Sequence, residues 1–174
     1  YMVDKMTDIY WDGENWLELS KNNYSNYYYL NGKNHRKDGP AEIWYYDNDN
    51  IYFEHYYQNG KFHRNDDGPS IINYRYNGYI ENKHYYKNGK KHRYCGPAFI
   101  YFRKDGFISQ EDYFYNNKLH RYDGPAKISY GKNENVINEE YWFKGIEFDP
   151  NKLPFEMPID TEEKEFMFSL IYSG

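Results

Sequence analysis

Residues 31–41 read NGKNHRKDGPA, and the phrase returns as NGKFHRNDDGPS at 59–70, NGKKHRYCGPA at 88–98 and NNKLHRYDGPA at 116–126. Each copy is followed by a stretch in which aromatic and polar residues alternate. A self-similar period near 28 residues marks an array of small elements, each unable to bury a core alone, that stack on their neighbours.

The spacings are constant. From the proline of each GP pair to the residue that opens the next turn is 19 residues: Pro40 to Asn59, Pro69 to Asn88, Pro97 to Asn116 and Pro125 to Lys144. One extra residue falls among Asn65, Asp66 and Asp67. Such constancy predicts fixed strand lengths and a fixed register. Alternation over five to eight residues, as in Ala41–Tyr45 and Ile51–Tyr57, reads as strand, so strands are predicted over 41–46, 51–58 and their equivalents. Asn59-Gly60 and Asn88-Gly89 at one end of the strands, and Asn77-Gly78 and Asp105-Gly106 at the other, supply the positive φ angles of two-residue type I′ turns. The expected fold class is all-β: a repeat array of antiparallel hairpins forming a continuous twisted meander sheet.

This register sets Tyr57 opposite Phe62, and Tyr56, Tyr85 and Tyr113 beside His63, His92 and His120. It puts Ala41, Ile43, Tyr45 and Tyr56 on one face. Ile51 and Tyr57 fall on the other, with their counterparts Ile80, Ile108, Val136 and Tyr86, Phe114, Trp142. The recurring Gly-Pro reads as a bulge that opens a strand, because glycine accepts conformations closed to other residues and proline removes a donor.

The ends depart from the pattern, as array caps do. Residues 1–30 read as an N-terminal capping hairpin around Trp11-Asp12-Gly13 and Trp16–Leu19, residues 31–145 as the array, and residues 146–174 as an extended segment and capping helix, all within one domain. Asp160 with Glu163 resembles a capping box, and Phe166, Met167, Leu170 and Ile171 share one helical face. That helix is expected to fold over the open sheet edge.

Composition agrees with strands. Tyrosine occurs 24 times and aromatics make up 22% of the chain, so a mean hydropathy of −1.16 still leaves material for a core of half-buried rings. A net charge of −5 argues against wholesale binding to nucleic acid or anionic membrane and confines any anion site to a local patch. Cys95 is the single cysteine, which excludes a disulfide framework. With no long apolar run and no signal-like N-terminus, the expected setting is soluble and intracellular, in host cytoplasm or in a virion for a viral protein. The sequence opens on Tyr1 rather than Met, so trimming of a targeting segment is compatible with it.

The NGKxHRxDGPAxIxY pattern over roughly residues 24–145 resembles MORN-type repeats. It is most similar to the longer variant with LHRxDGPA-like units, associated with giant DNA viruses and some bacteria. The unit here is longer than the usual one, and Arg36 and Asp38 stand where glycine is common. The resemblance implies scaffolding, protein binding and phospholipid contact.

Two ladders invite a chemical reading. His35, His63, His92 and His120 occur once per unit, and copies two strands apart lie about 9–10 Å from one another, too far to share a metal. They are read as structural, stacked on or bonded to tyrosine, and no metal and no cofactor is expected. Arg36, Arg64, Arg93 and Arg121 could hold phosphate or sulfate beside aromatics; the competing reading pairs them with Asp38, Asp67 and Asp123, and Cys95 leaves Arg93 a candidate free cation. Cys95 has no accompanying His and acid, and no phosphate loop, dinucleotide fingerprint or zinc motif is present, so no catalytic residue is assigned and the chain is not read as an enzyme.

Recognition is assigned to positions that vary between units at fixed places. The slot of Trp44 holds Asn73, Tyr101 and Ser129, and that of His55 holds His84, Asp112 and Glu140. Trp44, His55, His84 and Tyr101 form the candidate binding set for a protein partner. The four arginines form an alternative set for an anionic small ligand, a nucleotide or a lipid headgroup, and a structural virion component is a third reading.

Overall fold

The computed structural model describes residues 6–172; residues 1–5 of the predicted N-terminal cap and 173–174 of the C-terminal segment lie outside the described residues. Thirteen strands form one antiparallel sheet whose order follows the chain, with Lys33–Asn34 as a side branch. The predicted all-β meander of hairpins is therefore the observed one. The repeated long strands are Glu42–Tyr45, Ile71–Tyr74, Phe99–Phe102 and Lys127–Tyr130. Their partners are Ile51–His55, Ile80–His84, Ile108–Asp112 and Val136–Phe143. Both helices, the 3-10 turn Pro150–Lys152 and the α-helix Glu162–Tyr172, lie beyond the array. Among the described residues no helix is long and apolar enough to cross a membrane.

The predicted strand 51–58 divides into two. At Tyr56 the chain leaves the large sheet and builds a short hairpin, Tyr57–Gln58 against Lys61–Phe62, and the same happens at Tyr86–Lys91 and Phe114–Leu119. These hairpins carry the expected turns: Asn59 and Gly60 have φ 50° and 75°, Asn88 and Gly89 have 51° and 80°. Tyr57 faces Phe62 as read. The histidine N–H of each hairpin donates to the tyrosine carbonyl, as from His63 to Tyr56 at 3.1 Å and from His92 to Tyr85 at 3.1 Å.

The opposite turns differ from expectation. Gly78 and Gly106 have positive φ, whereas Asn77 and Asp105 do not. The Gly78 N–H donates to the Arg75 carbonyl, and the Arg75 N–H to the Tyr79 carbonyl, each at 2.8 Å. This is a three-residue loop, a type I turn closed by one left-handed residue, which offsets the register by one. A bulge then restores it: Ile80 faces Tyr74, Glu81 is extra, and Asn82 faces Asn73. Tyr52, Ser109 and Ile137 are the extra residues of the other units. The two offsets cancel across the middle of the sheet and leave one local correction. Ile51 faces Tyr45 and Ile108 faces Phe102, so they share the face of Ile43 and Ile100 rather than lying opposite, and Ile108 packs on the Tyr85, Ala98, Ile100 cluster.

Histidines join unit to unit. The Asn59 N–H donates to His35 Nδ1, the Asn88 N–H to His63 Nδ1 and the Lys144 N–H to His120 Nδ1, each at 3.1 Å. Beside them the Gly60, Gly89, Asn117 and Gly145 N–H groups each donate at 2.9 Å to the carbonyl just before the preceding unit's histidine. The rings of His35, His63 and His120 thus bond to the next turn, while the expected contact with Tyr56, Tyr85 and Tyr113 is made by the histidine backbone N–H. The junction of His92 deviates: Asn117 replaces glycine, its side chain accepts from the Lys91 N–H at 2.7 Å, and both His92 ring nitrogens are buried without a partner.

Apolar packing is concentrated at three places. Leu17, Tyr28 and Ala41 form the N-terminal cluster, Tyr85, Ala98 and Ile100 the central one, and Phe143, Phe148, Ile159 and Phe168 the C-terminal one. The residue after each Gly-Pro is sealed: Ala41, Ser70 and Ala126 are 0% exposed. The C-terminal helix packs through Phe168 and Tyr172, while Phe166, Leu170 and Ile171 of the predicted face are exposed. Apolar residues surround this helix, so periodicity alone does not choose its buried side; the rings of Phe143 and Phe148 do. Its cap is Thr161, whose Oγ1 accepts from the Lys164 N–H at 3.2 Å, rather than Asp160.

Candidate binding surfaces

Cross-strand register defines one face by two rows. The first runs Ser25, Trp44, Phe53, Asn73, Asn82, Tyr101, Gln110, Ser129, Asn138. The second runs Tyr27, Glu42, His55, Ile71, His84, Phe99, Asp112, Lys127, Glu140. Trp44, His55, His84 and Tyr101 therefore share a face, because directly paired residues and those two apart along a strand point the same way.

In its first half this face is aromatic. Trp44 stacks on Phe53 with centroids 5.7 Å apart, and Phe53 stacks on His55 at 4.1 Å. Glu42 ties the pair together, accepting from Trp44 Nε1 at 3.1 Å and bonding His55 Nδ1 at 3.1 Å. Farther along, His84 meets the edge of Phe99 at 4.0 Å and Phe99 meets Tyr101 at 4.3 Å. Burial, with Lys91 adding to it, lowers the His84 pKa to about 4, so this imidazole is neutral. The short hairpins extend the row: Tyr57 stacks on Phe62 at 4.3 Å and Phe62 lies 5.2 Å from Tyr86. Burial, with Glu42 nearby, pushes the Tyr57 hydroxyl up to about 12.

In the second half the face turns polar, though less acidic than the sequence alone implies. Asp112 is buried, its pKa raised by that burial, and accepts from Gln110 Nε2 at 2.9 Å. Glu140 is held by Lys127 at 2.9 Å, which lowers its pKa. Phe53, Phe62, Tyr86 and Phe99 belong to this face although sequence reasoning did not place them in the binding set.

The arginines lie on the opposite face. Arg36, Arg64, Arg93 and Arg121 stand over the rings of Tyr28, Tyr56, Tyr85 and Tyr113 at 4.1, 4.1, 3.9 and 4.1 Å. Those tyrosines sit between residues of the aromatic face in their strands and so point away from it. Arg36, Arg64 and Arg121 also donate through Nε to Asp38, Asp66 and Asp123, each at 2.7 Å. The acid is always two residues on, which makes Asp66 the partner of Arg64 instead of Asp67. The guanidinium hydrogen bond is the leading cause that lowers the Asp66 pKa. In the third unit Cys95 occupies this position and Arg93 Nε is buried without a partner. Three arginines thus hold an acid as well as their loop, whereas Arg93 bonds its loop only through Nη1 to the Pro97 carbonyl among the described residues.

Among the described residues no group of three or more His, Cys, Asp or Glu side chains is arranged to hold a metal ion. No protein-family model, curated protein sequence or solved structure matches the chain.

Proposed function

We propose that the chain is a non-catalytic, MORN-like repeat protein that binds or assembles with a protein partner through the face carrying Trp44, His55, His84 and Tyr101. The observation that carries the reading is the row of aromatic rings crossing successive strands on one side of the sheet, with Trp44 and Tyr101 exposed at 36% and 38%. Tyrosine and tryptophan give large contact area at small entropic cost and dominate interface energetics. Side chains that differ between units stand on a backbone that repeats, so units can present different groups to a partner on one scaffold. The strands Met6–Trp11 and, over residues 136–140, Val136–Phe143 each pair on one side only among the described residues, and an open edge suits assembly by strand pairing. The anionic-ligand reading through the whole arginine ladder is weaker, since Arg36, Arg64 and Arg121 already hold carboxylates.

Affinity purification from native cells, with mass spectrometry, tests this. The double variant Trp44→Ala/Tyr101→Ala is expected to recover the partner at least tenfold less well than the parent chain. Equal recovery by the double variant rejects the face, and capture that disappears on raising salt while ignoring these residues favours an anion-led interaction.

A further inference from the structure

The geometry points to the free edge of Arg93 as an oxyanion-binding site, taking a carboxylate or phosphate group carried on a planar or apolar body. The repeat itself shows what that edge is shaped to hold. In the second unit Arg64 donates through Nε to Asp66 Oδ1 at 2.7 Å and through Nη2 to Asp66 Oδ2 at 2.9 Å, a two-pronged clasp of one carboxylate. Arg36 and Arg121 use the same Nε for Asp38 and Asp123. Arg93 keeps two other parts of the arrangement: it stacks on Tyr85 at 3.9 Å, and its Nη1 donates to the Pro97 carbonyl at 3.2 Å; the loop itself differs at Gly96, whose φ is 105° where Gly39, Gly68 and Gly124 have no positive φ. What is missing is the carboxylate. Cys95 stands in its place, a thiol is a weak acceptor, and Nε and Nη2 make no hydrogen bond among the described residues.

The Tyr85 ring and the Pro97 carbonyl thus hold the guanidinium in place before any ligand arrives, with Nε itself buried. Beside it opens a cavity of about 430 Å³ whose aromatic lining includes Tyr94, Tyr113, Tyr115 and Tyr122. Its charges are Arg93, Arg121 and Asp123, and the last two cancel through their 2.7 Å contact. Burial, with Lys144 adding to it, lowers the His120 pKa, so that ring adds no charge at neutral pH. One positive charge remains, at Arg93. Aromatic walls beside a planar cation suit a ring bearing an oxyanion. Arg93 and Tyr113 point away from Trp44 and Tyr101, and the site does not depend on the proposed function.

The test is ¹H–¹⁵N NMR of the arginine Nε–H signals of the full chain, titrated with phenyl phosphate, benzoate and inorganic phosphate. A saturable shift of the Arg93 signal, with Arg36, Arg64 and Arg121 unmoved, is expected for phenyl phosphate or benzoate, and the tighter of the two assigns phosphate or carboxylate. Cys95→Asp supplies the missing internal partner and is expected to weaken binding at least tenfold while leaving the thermal midpoint equal or higher. Asp123→Cys, which copies the third unit into the fourth, should make Arg121 respond as well. Inorganic phosphate binding as tightly as phenyl phosphate overturns the aromatic part of the site. No saturable shift at Arg93 with any probe, or unchanged affinity in Cys95→Asp, overturns the site itself.

Discussion

Replacing His120 with alanine isolates the bond that joins one unit to the next. His120 Nδ1 accepts the Lys144 N–H at 3.1 Å, and its ring lies 4.8 Å from Phe143, a member of the C-terminal core. The hydrogen bond contributes about 1 kcal/mol, and the ring contact about 0.5–1.5 kcal/mol. The expected loss is about 2 kcal/mol, or roughly 4–8 °C in thermal midpoint for a chain of this size, read by circular dichroism. Faster amide exchange at Lys144 should accompany it. The pH dependence sharpens the test. Nδ1 must be unprotonated to accept, and burial holds the His120 pKa below its ordinary 6.5. As pH falls through 6.5 the unfolded chain takes up the proton before the folded one, so the histidine's contribution is whole above that pH and declines below it. The gap between parent and His120→Ala must then narrow from pH 7.5 to pH 5. A midpoint within 1 °C of the parent, or a gap that stays constant with pH, refutes the joining role.

Three further outcomes follow from the same geometry. Ala126→Leu places a larger side chain where no exposure remains, and urea unfolding should show a loss of about 1–3 kcal/mol; a neutral result means the site can open. Phe168→Ala removes a ring that is 2% exposed and should cost about 3–5 kcal/mol or detach the terminal helix, visible as lost helical circular dichroism while the sheet signal persists. Acidification from pH 6.5 toward 4 should destabilise the parent chain through its histidines, partly offset by Asp112, whose raised pKa favours the folded state as pH falls. His84, half-buried with a pKa near 4, is the largest histidine contributor, worth roughly 1–2 kcal/mol once partial solvent access is discounted; His84→Gln should flatten this window.

The sheet was legible because Asn-Gly pairs at fixed spacing leave one register for the short hairpins; the acid partners of Arg36 and Arg121 were legible too, while the extra residue among 65–67 led to Asp67 in place of Asp66 for Arg64. The sharing of a face by Trp44 and His55 was legible for a subtler reason, since the three-residue loop and the bulge displace the register in opposite senses. The bulge itself left no trace: its extra residues are Tyr52, Glu81, Ser109 and Ile137, with no shared chemistry, so Ile51 was assigned to the wrong face. The histidine bonds also escaped, because they link residues 24 or 25 apart and pattern reasoning looked across the nearest turn. Trp44 is 36% exposed and its ring also packs on Phe53 and Tyr27, so Trp44→Ala should lower stability by about 1–2 kcal/mol.

The central claim, that the aromatic face meets a protein partner, is tested most directly by a photo-crosslinking phenylalanine analogue placed in turn at Tyr101 and at Glu139. Tyr101 lies on the aromatic face, whereas Glu139 is exposed on the opposite face, across from Ile128. Irradiation in native cells is expected to attach a discrete partner through position 101 and none through position 139. Attachment through 139 alone, or the same product from both positions, contradicts the account.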